Sequence, residues 1–343
     1  MAKALNALSF DDVQAMKVAV WNDTRTTTPM TAAAAVRSDG RVGSIRVPKD
    51  EVLSAGLIDF FRGPARGSIV AEGDSWFDYP PGLDLIDGLE RHGRQVVSIA
   101  HFGDTLENMV YGTEHRFFRR TRPVLEKLVE TVAEVRPPVV LISAGGNDVA
   151  GEELRSFLNH GDSGLPPLRV EHLRDFIHGF ARTAYEKVAR DIWNAHPPAK
   201  IIVHGYGHAV PDGRGVGFDV GLGDRRLNLV GPWLRPAFVA KNIPLDEGQR
   251  IVVRIIDEFN TMLAGLVAQF PGQFFAIDAR PRIAAGDWVN ELHLTNTGAI
   301  RVAGMLNDVI TTVMNGASPA APLSAAPKPK PKPRTTRSAK PRK

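Results

Sequence analysis

Residues 69–80 read IVAEGDSWFDYP. Ile69, Val70 and Ala71 run through Glu72 into Gly73, Asp74 and Ser75, and Trp76, Phe77 and Tyr79 follow at once. A short apolar run that stops on small polar turn residues reads as a buried strand reaching the edge of a sheet. Two readings of its end compete. Gly-Asp-Ser is a polar turn that caps the next helix, or Ser75 is a nucleophile displayed at the carboxyl end of the strand. The turn alone does not decide, because a serine hydroxyl is a weak nucleophile until a base and an oxyanion hole are supplied from elsewhere.

Runs of the same kind recur: QVVSIA (95–100), PVVLISA (138–144), KIIVHGY (200–206) and QFFAID (273–278). They are rich in Val and Ile and nearly unbroken, as strands covered on both faces are. Helical patterns lie between them. Val170, Leu173, Phe176, Ile177, Phe180, Ala184, Val188 and Ile192 fall at steps of three and four, apart from the adjacent pair Phe176 and Ile177. Ile251, Ile255, Phe259, Met262, Leu266 and Phe270 follow the same spacing. Five strands alternating with helices predict a parallel, doubly wound α/β sheet, whose sites lie outside the carboxyl ends of its strands. Residues 66–316 form this domain. Residues 1–65 are an N-terminal extension of uncertain form, and residues 209–236 are a Gly-rich insertion that is either a substrate-facing loop or a surface excursion.

Composition bounds the function. The chain has 343 residues and no cysteine, so thiol nucleophiles, disulfides and Cys-based zinc sites are excluded. No apolar run is long enough to span a bilayer. The stretch MAKALNALSFDDVQAMK carries acids where a signal peptide needs an unbroken apolar run, which points to the cytoplasm. Residues 317–343 hold eight basic residues and no acid, so without them the net charge falls from +4 to about −4. Their PKPKPKPR core is Pro-alternating and reads as disordered, with a solubilising role or weak contact with nucleic acid or an anionic surface.

Each strand end contributes one polar group to the same sheet edge. Ser75 ends the first strand, Gly103 follows the second in HFGDTLENM, Asn147 follows the third in AGGNDVAG, and His293 stands in DWVNELHLTNTG before the last helix. An imidazole titrates near neutrality and suits the role of base. The backbone N–H groups of Ser75 and Gly103 and the Asn147 amide suit an oxyanion, with Gly103 expected to keep the approach free of a side chain. His208, near the end of the fourth strand, is a rival base. Asp74 is expected to brace its turn, and Asp148 to cap the helix after Gly-Gly-Asn-Asp. Trp76, Phe77, Tyr79 and Trp288 either shelve an acyl chain or pack over the sheet edge.

These four blocks together resemble the SGNH hydrolases of the GDSL esterase/lipase superfamily, over about residues 68–316. The resemblance rests on Gly73-Asp74-Ser75, Gly103, Gly145-Gly146-Asn147-Asp148 and His293. It implies a flavodoxin-like three-layer α/β/α sandwich and a cofactor-free esterase acting on a small-molecule, lipid or carbohydrate ester. It also implies Ser75 as nucleophile, His293 as general base, and Ser75, Gly103 and Asn147 as the oxyanion hole. One position departs from the pattern: the family's Asp three residues before the histidine is Asn290 here. The His293 ring is then oriented by the Asn290 carbonyl oxygen, by a carboxylate (Asp287, or else Glu291), or by a backbone carbonyl. Two rival readings are a metal-dependent phosphoesterase, for which no Asp-x-His motif stands upstream, and a weakened binding module recruited to a polyanion by the basic tail.

Overall fold

The computed structural model describes residues 45–46, 69–79, 82–112, 123–219 and 226–316. The N-terminal extension, apart from Ile45 and Arg46, and the basic tail lie outside the described residues. The sheet is built from β1 (Ile45–Arg46), β2 (Ile69–Gly73), β3 (Val96–Ser98), β4 (Val139–Ser143), β5 (Lys200–His204) and, after two intervening strands, β8 (Phe274–Ile277). Their order is β1-β3-β2-β4-β5-β8, and every pairing is parallel. The five expected strands are all present, in the flavodoxin-like order. The sheet differs from the expectation only by the two-residue edge strand β1, which pairs with Val97 and Ser98.

β2 and β4 are buried at every position, as central strands covered on both faces are, and β2 carries Glu72 buried with its apolar residues. The covering helices are α1 (Leu85–Arg91), α2 (Leu106–Tyr111), α3 (Val124–Val135), α4 (Val170–Arg174), α5 (Arg182–Ala195), α6 (Arg235–Ala240), α7 (Leu245–Gln269) and α8 (Asn296–Met314). Between α4 and α5 the chain continues as a π-helical segment, Asp175–Ala181. The adjacent pair Phe176 and Ile177, which breaks the three-and-four spacing in the sequence, falls inside it. The wider turn brings Ile177 into the core, where it is fully buried, while Phe176 packs against the core from its margin.

The 209–236 insertion contains structure of its own. Its strands β6 (Val216–Asp219) and β7 (Arg226–Val230) pair antiparallel. Its far end is tied back to the sheet edge by Glu291, as described below. Among the described residues, no helix is long and apolar enough to cross a membrane.

Candidate active site

Ser75 leaves β2 at the point where Gly73 lies beside Ser143 of β4. A Cβ on Gly73 would stand 2.6 Å from the Ser143 Cβ and from its carbonyl oxygen, so only glycine lets the two strand ends approach. Asp74 then holds the turn. Its Oδ1 accepts from Trp76 N–H (2.9 Å) and from Ser143 Oγ–H (2.7 Å), and its Oδ2 accepts from Tyr206 O–H (2.5 Å). Since the Ser143 proton points at Asp74, His204 donates from Nε2 to Ser143 Oγ over 2.7 Å. Burial pushes Asp74 up to about 6, against the opposing pull of these hydrogen bonds. Burial also pushes His204 down to about 4, so its ring is neutral. Asp74 braces its turn as expected, and also joins β4 and β5 beneath Ser75.

His293 reaches Ser75 from the opposite end of the domain's sequence. Its loop is pinched shut by an isolated bridge between Trp288 and Leu294 and by Val289 N–H donating to the His293 carbonyl (2.9 Å). His293 Nε2 lies 2.8 Å from Ser75 Oγ, and His293 Nδ1 lies 2.9 Å from Asn290 Oδ1. The same Asn290 oxygen accepts the backbone N–H groups of Leu292 (3.0 Å) and His293 (2.9 Å). This fixes the amide's orientation, because two N–H donors require an oxygen opposite them. Asn290 Nδ2 points away and donates to the Tyr79 hydroxyl (3.2 Å). His293 Nδ1 must therefore carry the proton, and Nε2 presents its lone pair to the Ser75 hydroxyl. The ring is buried and walled by aromatics: Tyr79 stacks on it at 4.2 Å between centroids, Phe102 lies parallel at 5.8 Å, and Trp233 meets it edge-on at 5.4 Å.

Asp287 lies elsewhere. Its Oδ2 accepts from Arg301 (2.5 Å) and from Ala284 N–H (2.8 Å), and these partners hold its carboxyl below the usual range, the Ala284 bond foremost. It lies one helix turn too early in the loop to face the imidazole, and the arginine of α8 claims it. Glu291 is also turned away. It is fully buried, and its two oxygens take four backbone N–H groups of the insertion: Gly213 (2.8 Å), Trp233 (2.6 Å), Leu234 (2.6 Å) and Arg235 (2.9 Å). Burial raises its pKa while these donors oppose the rise. Of the three candidates for orienting the ring, the Asn290 carbonyl oxygen is the one within hydrogen-bond reach.

Asn147 lies in the loop after β4 and lines the pocket beside Ser75, and Gly103 lies in the loop after β3. Asn147 Nδ2 donates one proton to the Asp104 carbonyl (2.8 Å), and a primary amide has a second N–H to offer. Gly103 has φ +80°, and a Cβ there would meet nothing within 4 Å. Its left-handed turn is a conformation that favours glycine. Asp148 differs from its expectation. No helix begins directly after Gly-Gly-Asn-Asp, and Asp148 instead caps α2, accepting from Leu106 N–H (2.7 Å) and Glu107 N–H (3.0 Å). It thereby ties the Asn147 loop to the Gly103 loop, and burial pushes its carboxyl up to about 6.

The remaining candidates sort by contact. His208 binds Asp257 through Nε2 (2.8 Å), in a cluster with Arg280, and not Ser75. Phe77 is fully buried in the core, whereas Trp76 and Trp288 line a pocket beside Ser75. Trp233 and Glu291 are site-shaping residues that the sequence reading did not single out for these roles. The signal for both was adjacency: Glu291 is the one acid between Asn290 and His293, and Trp233 stands near the end of the insertion. Among the described residues no three His, Asp or Glu side chains are arranged to hold a metal ion.

No family model matches this chain, and no curated protein matches it. Solved structures do. The family 3 carbohydrate esterase of Clostridium thermocellum is 13% identical, with a TM-score of 0.42, covering 74% of this chain and 99% of its own. The extracellular lipase of Streptomyces rimosus is 17% identical at TM-score 0.44, covering 74% of this chain and 100% of its own. Phospholipase A1 of Streptomyces albidoflavus is 15% identical at TM-score 0.41, with coverages of 74% and 100%. All three are named as ester-cleaving enzymes.

Proposed function

We propose that this protein is a serine esterase that cleaves a carboxylic ester through an acyl-enzyme on Ser75. The observation that carries the reading is the continuous relay from Ser75 Oγ to His293 Nε2 (2.8 Å) and from His293 Nδ1 to Asn290 Oδ1 (2.9 Å). As Ser75 Oγ attacks the ester carbonyl, its proton passes to Nε2 and the ring becomes imidazolium. Asn290 Oδ1 accepts from that ring throughout, without a charge of its own. The tetrahedral oxyanion is held by the Ser75 and Gly103 N–H groups and the second Asn147 amide proton. Collapse expels the alcohol, which takes the proton from Nε2. A water, deprotonated by the same nitrogen, then releases the acid and regenerates Ser75.

The Asn290 geometry supports this reading against the concern raised by the missing aspartate. In a serine protease's triad, Asp to Asn costs about 10⁴ in rate because the amide holds the wrong tautomer. Here two backbone N–H groups turn the amide oxygen toward the ring, so the productive tautomer is kept. The test is covalent labelling by a fluorophosphonate at neutral pH, with peptide mapping. Label on Ser75, and loss of both label and ester turnover in Ser75→Ala, is the expected result. Turnover that persists in Ser75→Ala overturns the assignment.

A further inference from the structure

A largely apolar pocket opens beside Ser75. Ile177, Val252, Ile255, Ile256 and Phe259 form much of its wall, and Leu234 of the insertion adds to it. Three features of the chain are needed to make it. The π-helical segment brings Ile177 inward, one face of α7 supplies four of the apolar side chains, and Glu291 holds the residue Leu234 in place through its backbone N–H. Among the described residues the one carboxylate at the wall is Asp74, and its oxygens are already occupied by Trp76, Ser143 and Tyr206. A sugar or a charged group buried here would lose its hydrogen bonds to water and find few replacements.

The pocket's position says which half of an ester it takes. Its wall includes Ser75 and Asn147 but not His293. The departing alcohol must lie against His293 Nε2, since that nitrogen returns the proton to it. The acyl carbon bonded to Ser75 Oγ, with its oxygen on Asn147, has one substituent left to place, and the apolar pocket adjoins both of those residues. We infer that the substrate is an ester of an aliphatic acid longer than acetic acid, whose chain enters this pocket, and not an acetyl ester. The inference rests on the serine-esterase reading for its orientation, and on the pocket alone for its chemistry.

The test is a ladder of p-nitrophenyl esters from acetate through butyrate and hexanoate to octanoate, which holds the leaving group constant. kcat/KM is expected to rise about fourfold per added methylene until the pocket is full, the factor that burial of one methylene supplies. Ile256→Trp and Val149→Trp both add bulk at partly buried wall positions, and each is expected to flatten the ladder and move its maximum to a shorter acid. Two bulky variants at separate positions guard against one that fails to fold. A flat or falling ladder in the native protein, with acetate turned over through Ser75, overturns the aliphatic acid and leaves the esterase reading intact. Calorimetric binding of sodium octanoate and sodium acetate separates the other failure. Octanoate binding at least tenfold tighter than acetate, and weakened in Ile256→Trp, upholds the pocket's ligand even if no ester is cleaved. Equal binding of the two acids overturns it.

Discussion

Asn290 is the residue on which the proposed chemistry turns. Its oxygen collects three N–H donors, and this geometry predicts two opposite mutational outcomes. Asn290→Ala removes the acceptor for Nδ1 and unpins the loop's backbone, so kcat is expected to fall by at least tenfold. Asn290→Asp keeps an oxygen in place and adds a charge that stabilises the imidazolium, so kcat is expected to hold or rise. Steady-state kinetics on one ester, with circular dichroism to check folding, reads both. An Asn290→Asp variant slower than Asn290→Ala would contradict the acceptor role. Asn147 makes a simpler case. Loss of one preorganised donor typically lowers kcat by roughly 10²–10³, and Asn147→Ala is expected to do so with KM little changed. A kcat within twofold of the native value would leave Asn147 as a brace for the Asp104 carbonyl only. At this scale the Ser75, His293 and Asn290 that the structure hydrogen-bonds together were legible, because each stands at a strand end or in a motif. What the sequence could not choose was the acceptor for Nδ1. Asn290, Asp287 and Glu291 lie within five residues, and the choice among them is made by Arg301 and by the insertion's N–H groups, which are distant in the chain.

The elements were legible where one signal dominated. Short apolar runs marked the sheet strands β2, β3, β4, β5 and β8, and three-and-four spacing marked the long helices. The edge strand β1 is too short for any periodicity to register. The hairpin of β6 and β7 was masked by its glycines, although RLNLV at 226–230 alternates as a half-exposed strand does. Asp148 was assigned to the wrong helix because capping was sought along the chain, whereas the carboxylate caps across to α2. The insertion's latch makes the element-scale prediction. Glu291 offers its four backbone donors two charged oxygens, and Glu291→Gln would set an NH₂ group against some of them. A buried donor left unsatisfied costs about 1–3 kcal/mol, and a hydrogen bond to a charged group contributes about 1.5–3 kcal/mol. Glu291→Gln is therefore expected to lower unfolding stability by roughly 2–4 kcal/mol and to expose residues 209–236 to limited proteolysis. Urea denaturation and mass mapping of a brief trypsin digest measure the two effects. Native-like resistance at Arg214 in the variant would show that the hairpin is held by other contacts.

The whole molecule carries a buried polar network through its central strands, and its charge state couples stability to pH. Asp74 is raised from 3.8 to about 6 in the folded protein, chiefly by burial. A raised carboxyl pKa means that the folded state binds the proton more tightly than the unfolded chain does. Its contribution is therefore fully present below about pH 4, where both states are protonated. Between pH 4 and 6 the unfolded chain ionises while folded Asp74 keeps its proton, and stability is lost as pH rises, ending above the folded pKa. A shift of about two units corresponds to about 3 kcal/mol over that window. His204 runs the other way. Lowered to about 4 by burial, it contributes stability that is present above pH 6.5 and lost as pH falls through 4. The two contributions oppose each other in the native protein, so the pH profile of native stability alone does not isolate either. Asp74→Asn separates them, because the histidine's shift arises from burial, opposed only by the Gly205 backbone, and survives the substitution. The stability of native protein minus that of Asp74→Asn is expected to fall by about 3 kcal/mol from pH 4 to pH 7, whatever its constant offset. Urea denaturation of both proteins at pH 4, 5.5 and 7 reads it. A difference that stays level across the three pH values would mean that folded Asp74 is ionised throughout, with the Tyr206, Ser143 and Trp76 donors outweighing its burial.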